Sequence, residues 1–300
     1  LVDSPLPDRY PTSFERINQW AQEQGVTGEE ARRRFAQYAV LRAIVASVPL
    51  RKLLVFKGGN ALDFALSPYR STQDLDFSVD MSSLGDLELA AEELRKLFSA
   101  GLGVSQRELG VVMIVHSVKP QNPKEWQTFI TYTVKIGYAL PDDTKNKRRL
   151  ESGAPSLTVV PIDISINEPI CGDEQIKLPG TNIGLRVSTL EDMMAEKLRS
   201  WLQQEIRDRN RPQDLLDIAH ILEHGPQVDI ALVSQYLKEK AGARDVHVSK
   251  EDLKSAKPAD RARVEYDEQL ESTVHGDFIP FETALYRLHE FVDELDIEVQ

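Results

Sequence analysis

The sequence predicts an α/β chain: a mixed sheet with helices over residues 1–187, then a helical domain over residues 188–300. Three observations carry this. Runs rich in β-branched and aromatic residues recur up to about residue 166, glycine turns separate strand-like from helix-like segments, and beyond residue 187 only capped helical patterns appear.

Thr27 with Glu30 forms a capping-box pattern ahead of a helix reaching about Val48, its apolar spacing running through Phe35, Tyr38, Leu41 and Val45. A short strand over Leu53 to Phe56 ends at Lys57-Gly58-Gly59, and Asn60 to Leu66 reads as a helix stopped by Ser67-Pro68. Leu75 to Val79 reads as a second strand. Asp86 opens a helix to about Phe98, which Gly101 and Gly103 are expected to end. Val111 to His116, Trp126 to Tyr138 and Leu157 to Ile166 form strands of an antiparallel portion. Ser188 and Thr189 cap a helix to about Gln203, and others are expected over 212–224, 229–240, 259–271 and 281–294.

With 41% hydrophobic and 28% charged residues in 300, the composition is that of a globular protein with an ordinary core. No apolar run approaches the roughly 20 residues a membrane span needs, and the single Cys171 cannot close an internal disulfide, so a cytoplasmic protein is expected. A net charge of -12 argues against indiscriminate coating of nucleic acid, which depends on neutralising phosphates. Two local basic stretches run against that balance: Lys145, Lys147, Arg148 and Arg149 in a loop-like segment, and Arg199, Arg207, Arg209 and Arg211. Each is either solvated surface or a contact to a nucleic-acid backbone.

The sharpest chemical feature is Asp74-Leu75-Asp76 entering a strand, because residues two apart on a strand share a face. Two carboxylates held there repel, and oxygen ligands of this kind suit Mg²⁺ bridging nucleotide phosphates. The bland reading is a solvated strand end. Upstream, the turn at Lys57-Gly58-Gly59 lacks Cβ atoms on its glycines, so backbone N–H groups can approach phosphate oxygens. Downstream, Asp163 stands among apolar residues in Val159-Val160-Pro161-Ile162-Asp163-Ile164, costly to bury without a partner that a metal or an arginine would supply.

The segments Phe56-Lys57-Gly58-Gly59-Asn60-Ala61-Leu62 and Arg70-Ser71-Thr72-Gln73-Asp74-Leu75-Asp76-Phe77 resemble the AbiEii/AbiGii nucleotidyltransferase toxins of the polymerase-β-like superfamily. Further matches are Leu190-Glu191-Asp192-Met193-Met194-Ala195-Glu196-Lys197-Leu198 and Arg211-Pro212-Gln213-Asp214-Leu215-Leu216-Asp217-Ile218. The resemblance implies a polymerase-β-like nucleotidyltransferase domain with a C-terminal helical domain. Asp74, Asp76 and Asp163 would be metal ligands for Mg²⁺, with Mn²⁺ as the alternative. Lys57, Gly58, Gly59, Asn60 and Thr72 would line the nucleotide, Lys197 would counter its phosphate charge, and Asp214, or Asp217 one turn on, would complete the last motif. It also implies a nucleoside triphosphate as substrate, a tRNA 3′ end as leading acceptor, a cognate antitoxin protein as partner, and no membrane. Asn60 stands where the family often has Thr or Ser, Thr72 where it usually has Ser, and Leu216 replaces its usual Tyr.

Two other readings stand beside this one. A catalytically silent module of the same fold would bind nucleotide, RNA or protein, or the acceptor would be a protein. Separately, His220-Ile221-Leu222-Glu223-His224 fits the His-X-X-Glu-His pattern of inverted zinc peptidases, although two histidines near a helix C-terminus also complement its dipole.

Overall fold

The computed structural model describes residues 9–66, 68–84, 89–121 and 129–297. Its sheet has seven strands: β1 (Leu54–Lys57), β2 (Leu75–Val79), β3 (Val112–Pro120), β4 (Thr131–Ala139), β5 (Thr158–Ser165), β6 (Asp173–Lys177) and β7 (Gly184–Ser188). They lie in the order β3-β4-β5-β2-β1-β7-β6. Pairing is antiparallel for β3 with β4, β4 with β5 and β1 with β2, and parallel for β2 with β5 and β1 with β7. The sheet is mixed, with the antiparallel portion on the strands expected to form it.

Helix Gly28–Ala46 begins at Thr27, whose hydroxyl oxygen accepts from Glu30 N at 3.1 Å, as the capping-box spacing predicts. This helix is buried nearly all round. Alongside Phe35, Leu41 and Ile44 it takes Glu30, Arg34 and Gln37 into the interior. Helix Ala91–Leu109 packs against it and runs through Gly101 and Gly103, where the sequence predicts a stop. The reason is steric: a Cβ on Gly101 would lie 3.0 Å from the carbonyl carbon of Ala43, so the missing side chain permits close helix contact. The helix ends instead at Gly110, with φ +68°. The expected helix start at Asp86 and strand start at Trp126 lie outside the described residues.

Other expectations shift. Val48–Leu53 is a short helix capped by Ser47, so β1 begins only at Leu54. The basic segment that reads as a loop is helix Thr144–Glu151, anchored by Asn146, whose Nδ2 donates to Tyr138 O at 2.7 Å and whose Oδ1 accepts from Leu157 N at 3.0 Å. Strands β6 and β7 have no counterpart in the sequence pattern, and the helix expected over 259–271 is two, Ala256–Arg263 and Tyr266–Leu270.

The chain divides into two compact units; among the described residues one holds 9–121, 129–167 and 174–187, the other 168–173 and 188–297. The second unit is helical, with Leu190–Leu202, Pro212–His224, Ile230–Gly242 and Phe281–Glu294 as its longer helices. Among the described residues, no helix is long and apolar enough to cross a membrane.

Candidate active site

Register brings the acids together. Lys57 at the end of β1 pairs with Asp76 on β2, and Asp76 pairs with Asp163 on β5. Residues paired across neighbouring strands present their side chains to the same face. Asp74, just before β2, completes a half-buried group of three carboxylates, each offering an oxygen within 4.8 Å of the others. Asp163 is oriented from β4 and β3: Thr133 Oγ1 donates to its Oδ1 at 2.8 Å and Gln121 Nε2 to its Oδ2 at 3.2 Å.

The glycine turn abuts the same group. Gly58 opens helix Gly58–Ala65 with φ +76°, and a Cβ there would stand 3.0 Å from Asp76 Cβ and closer still to its carboxylate. Two constraints, backbone sign and space, therefore require glycine at this position. At Gly59 a Cβ would meet Arg70 Nη2 at 2.7 Å and Thr72 Oγ1 at 3.0 Å. The helix N-terminus, with its outward N–H groups, thus lies against both Asp76 and the Arg70 guanidinium.

Buried groups hold the loop before β2 in place. Arg34, with no exposed side-chain surface, donates to Asn60 Oδ1 at 2.7 Å, Asp63 Oδ2 at 2.5 Å and Arg70 O at 3.0 Å. Burial disfavours its charge, but Asp63, Tyr10 and Glu30 outweigh that and raise its pKa above the usual arginine value. Gln37 Nε2 donates to Thr72 O at 2.9 Å and Gln73 O at 3.0 Å. Ser71 Oγ donates to Glu30 Oε2 at 2.7 Å. The resemblance places Asn60 beside the nucleotide; the structure buries it fully, where it accepts from Arg34 and donates to Asp74 O at 2.5 Å. Its amide is used within the protein, as a brace for the first carboxylate.

In the helical unit, Lys197 lies on helix Leu190–Leu202, its Nζ 2.5 Å from Asp217 Oδ2 and 3.5 Å from Asp214 Oδ1. Arg211 Nε donates to the other oxygen of Asp214 at 2.7 Å. Both candidate acids of the last motif therefore flank one buried ammonium, with Asp217 the nearer. In the second basic stretch Arg199 is buried, Arg207 and Arg211 are half-buried and Arg209 is exposed; Arg207 is held down to about 9 by burial and by the neighbouring Arg199 and Arg244.

A family model described as "Nucleotidyl transferase AbiEii toxin, Type IV TA system" matches residues 39–287. The chain belongs to the AbiEii family. No curated protein matches it. Among solved structures, this AbiEii-family chain is similar to MenT4, a nucleotidyltransferase toxin from Mycobacterium tuberculosis H37Rv, at 19% identity and TM-score 0.58, covering 93% of this chain and 90% of that one. It is also similar to JHP933 from Helicobacter pylori, at 14% identity and TM-score 0.53, covering 89% of this chain and 91% of that one. At such identities the likeness concerns the fold.

The peptidase-like pattern does not build a metal site. His220 is buried, and burial, with His224 second, lowers its pKa to about 4. The two rings are 5.1 Å apart by centroid. Among the described residues, the three aspartates form the only group of three or more His, Cys, Asp or Glu residues suited to a cation.

Membership accounts for nucleotidyltransferase activity, a nucleotide substrate and a cognate antitoxin. Sequence reasoning missed Arg34, Gln37 and Asp63, read Glu30 only as part of a helix cap and took Arg70 only as a motif residue without a role. A signal was present: helix Gly28–Ala46 carries polar residues at positions that its buried, apolar neighbours leave no solvent face for.

Proposed function

We propose that this chain transfers a nucleoside monophosphate from a nucleoside triphosphate to an acceptor hydroxyl, with a tRNA 3′ end the leading acceptor, as the cytoplasmic toxin of a toxin–antitoxin or phage-defence pair. The observation that carries the reading is the convergence of three half-buried carboxylates against the N-terminus of helix Gly58–Ala65. Three like charges this close call for a cation, and an all-oxygen donor set suits Mg²⁺, or Mn²⁺ in its place. Asp74, Asp76 and Asp163 would hold it. When bound, such an ion neutralises triphosphate charge and makes an acceptor hydroxyl easier to deprotonate.

The chain's own groups do the rest. Backbone N–H groups at Gly58 and Gly59 donate to phosphate oxygens, and the missing Cβ atoms let the polyphosphate approach. Arg70, beside Gly59, adds a cation, and Thr72 and Lys57 border the same turn. Asp163, steered by Thr133 and Gln121, accepts the proton of the attacking hydroxyl at a carboxylate oxygen. A bond forms from that hydroxyl oxygen to the α-phosphorus as the bond to pyrophosphate breaks. Lys197 is assigned to phosphate charge, its ammonium oriented by Asp217 and Asp214.

The test incubates purified protein, Mg²⁺ and each α-labelled triphosphate with total RNA and total cell protein, beside Asp76→Ala. Label should enter RNA with wild type and fall at least ~1000-fold in the variant, as loss of a metal ligand in a transfer reaction implies. Label in protein alone would overturn the tRNA assignment. Labelling no greater than the variant's in every fraction would leave a silent binding module.

A further inference from the structure

The face of β3–β4–β5 that carries Asp163 is exposed well beyond the carboxylates. Alternation puts Val160, Ile162 and Ile164 on the buried side, beneath the helices Gly28–Ala46 and Ala91–Leu109, and Val159, Pro161 and Asp163 on the other. Cross-strand register extends that second row: Asp163 pairs with Thr133 and then Lys119, Pro161 with Lys135 and then Ser117, Val159 with Gly137 and then Ile114. Lys119 and Lys135 are exposed, and the aliphatic groups are open as well, Ile114 at 38%, Val159 at 37% and Leu157 at 61%. His116, at the irregularity in β3, lies over Gly137, where any Cβ would occupy the space of its ring; its Nε2 accepts from Ser156 N at 3.0 Å.

Charge marks the occupant. In a chain of net charge -12, Lys119, Lys135, Lys145, Lys147, Arg148 and Arg149 form no ion pair with any described residue. Arg32, Arg34, Arg42 and Arg186 of the same unit pair with acids, whereas Arg51, Lys52, Arg95 and Arg107 also form no ion pair with a described residue, so what distinguishes the six is that they gather along this face and the helix adjoining it. Two of the six cations stand on the exposed face, and four on helix Thr144–Glu151, which joins the ends of β4 and β5 farthest from Asp163. That helix buries only Asn146 and Leu150, so its position depends on the hydrogen bonds of Asn146.

We infer that this face is the track for a single-stranded nucleic-acid acceptor whose 3′ end lies at the carboxylates. The inference rests on the transferase reading above and adds where the acceptor runs. From Asp163 to Val159 is four residues, roughly 13 Å of strand, and to Leu157 roughly 20 Å. Backbone phosphates lie along Lys119 and Lys135, and bases pack on His116, Ile114 and Val159. The strand then leaves toward the cations of helix Thr144–Glu151. An exposed apolar surface bordered by cations that no acid neutralises suits unstacked bases on a charged backbone, since bases can pack on side chains while phosphates meet lysines. A duplex would leave the bases stacked away from that surface.

The test measures binding of a short single-stranded RNA to the full chain by fluorescence anisotropy across a salt series, for wild type, Lys119→Glu with Lys135→Glu, and Ile114→Ser with Val159→Ser. Binding of a non-hydrolysable triphosphate with Mg²⁺ is measured on the same samples. Charge reversal should weaken RNA binding at least tenfold and make the salt slope shallower by roughly 1.4, at about 0.7 for each phosphate that a lysine no longer neutralises. Triphosphate binding should not change. The aliphatic pair should weaken RNA binding with little change in slope, and all samples should melt alike. RNA binding equal in all three proteins overturns the track, as does duplex RNA binding more tightly than the single strand. Label transfer to protein with both variants fully active overturns it too. If RNA binding depends on these residues but no label is transferred from any triphosphate, the track stands and the transferase reading fails.

Discussion

Asp76 has the most crowded place in the site. Its carboxylate faces those of Asp74 and Asp163, and Gly58 lies so close beside it that a Cβ there would have no room. Without a cation, three negative groups destabilise the fold by mutual repulsion, so Asp76→Ala should leave thermal stability unchanged or raise it in the presence of chelator. Added Mg²⁺ or Mn²⁺ should raise the melting temperature of wild type by several degrees, since an ion at one hundred times its dissociation constant contributes about 2.7 kcal/mol. The variant should show little of that rise. An equal rise in both proteins would place the ion elsewhere. These acids were legible in the sequence because strand alternation fixes which side chains share a face, and two of the three are two residues apart. The brace behind them was not. Arg34 and Asn60 belong to a buried polar network in which Arg34 reaches Asn60, Asp63 and Arg70, 26 to 36 residues away in sequence, and no local pattern records such pairings.

Helices and strands were readable in proportion to how locally their sequence decides them. Thr27 and Thr189 cap helices at the expected places because capping is settled within four residues. β6, Asp173–Lys177, is polar and mostly exposed at the sheet edge, so it has no alternation to read; its pairing is a tertiary matter. Gly101 shows the same division. As a helix residue it reads as a stop, and only the proximity of Ala43 shows it to be a contact. Gly103, two residues on, has merely Arg107 Nη1 at 3.7 Å from a Cβ, within ordinary contact. The two glycines should therefore respond oppositely to alanine. Gly103→Ala should stabilise by about 0.5–1 kcal/mol through helix propensity. Gly101→Ala should lose on the order of 1–3 kcal/mol, because two helices must part. Urea unfolding midpoints decide between them; stabilisation by both substitutions would mean that the helices have room to spare.

Across the whole molecule the two units differ in their ionisable interiors, which predicts different responses to acid. In the helical unit His220 is pushed down to about 4 by burial and by His224, against about 6.5 when unfolded. Its neutral form is the one the fold accepts, so below pH 6.5 the unfolded chain binds a proton that the folded chain refuses. Stability is then lost as pH falls from about 6.5 to 4, and is fully present above that window. In the sheet unit Asp80 gives an acid dependence that lies lower. Burial works to raise the Asp80 pKa, but hydrogen bonds from Ser82, Arg186 and Ser83 overcome it and set the carboxylate well below its usual range. Its contribution is present above the unfolded value near 3.9 and lost as pH falls further. Hydrogen exchange followed by peptide should therefore show the segments around 212–224 losing protection between pH 6.5 and 4, before those of β1 and β2. His220→Leu, which keeps the volume roughly and removes the titration, should flatten the first loss by about 1 kcal/mol or more and leave the second. The opposite order, with β1 and β2 exchanging first in that window, would place the acid-sensitive group in the sheet unit.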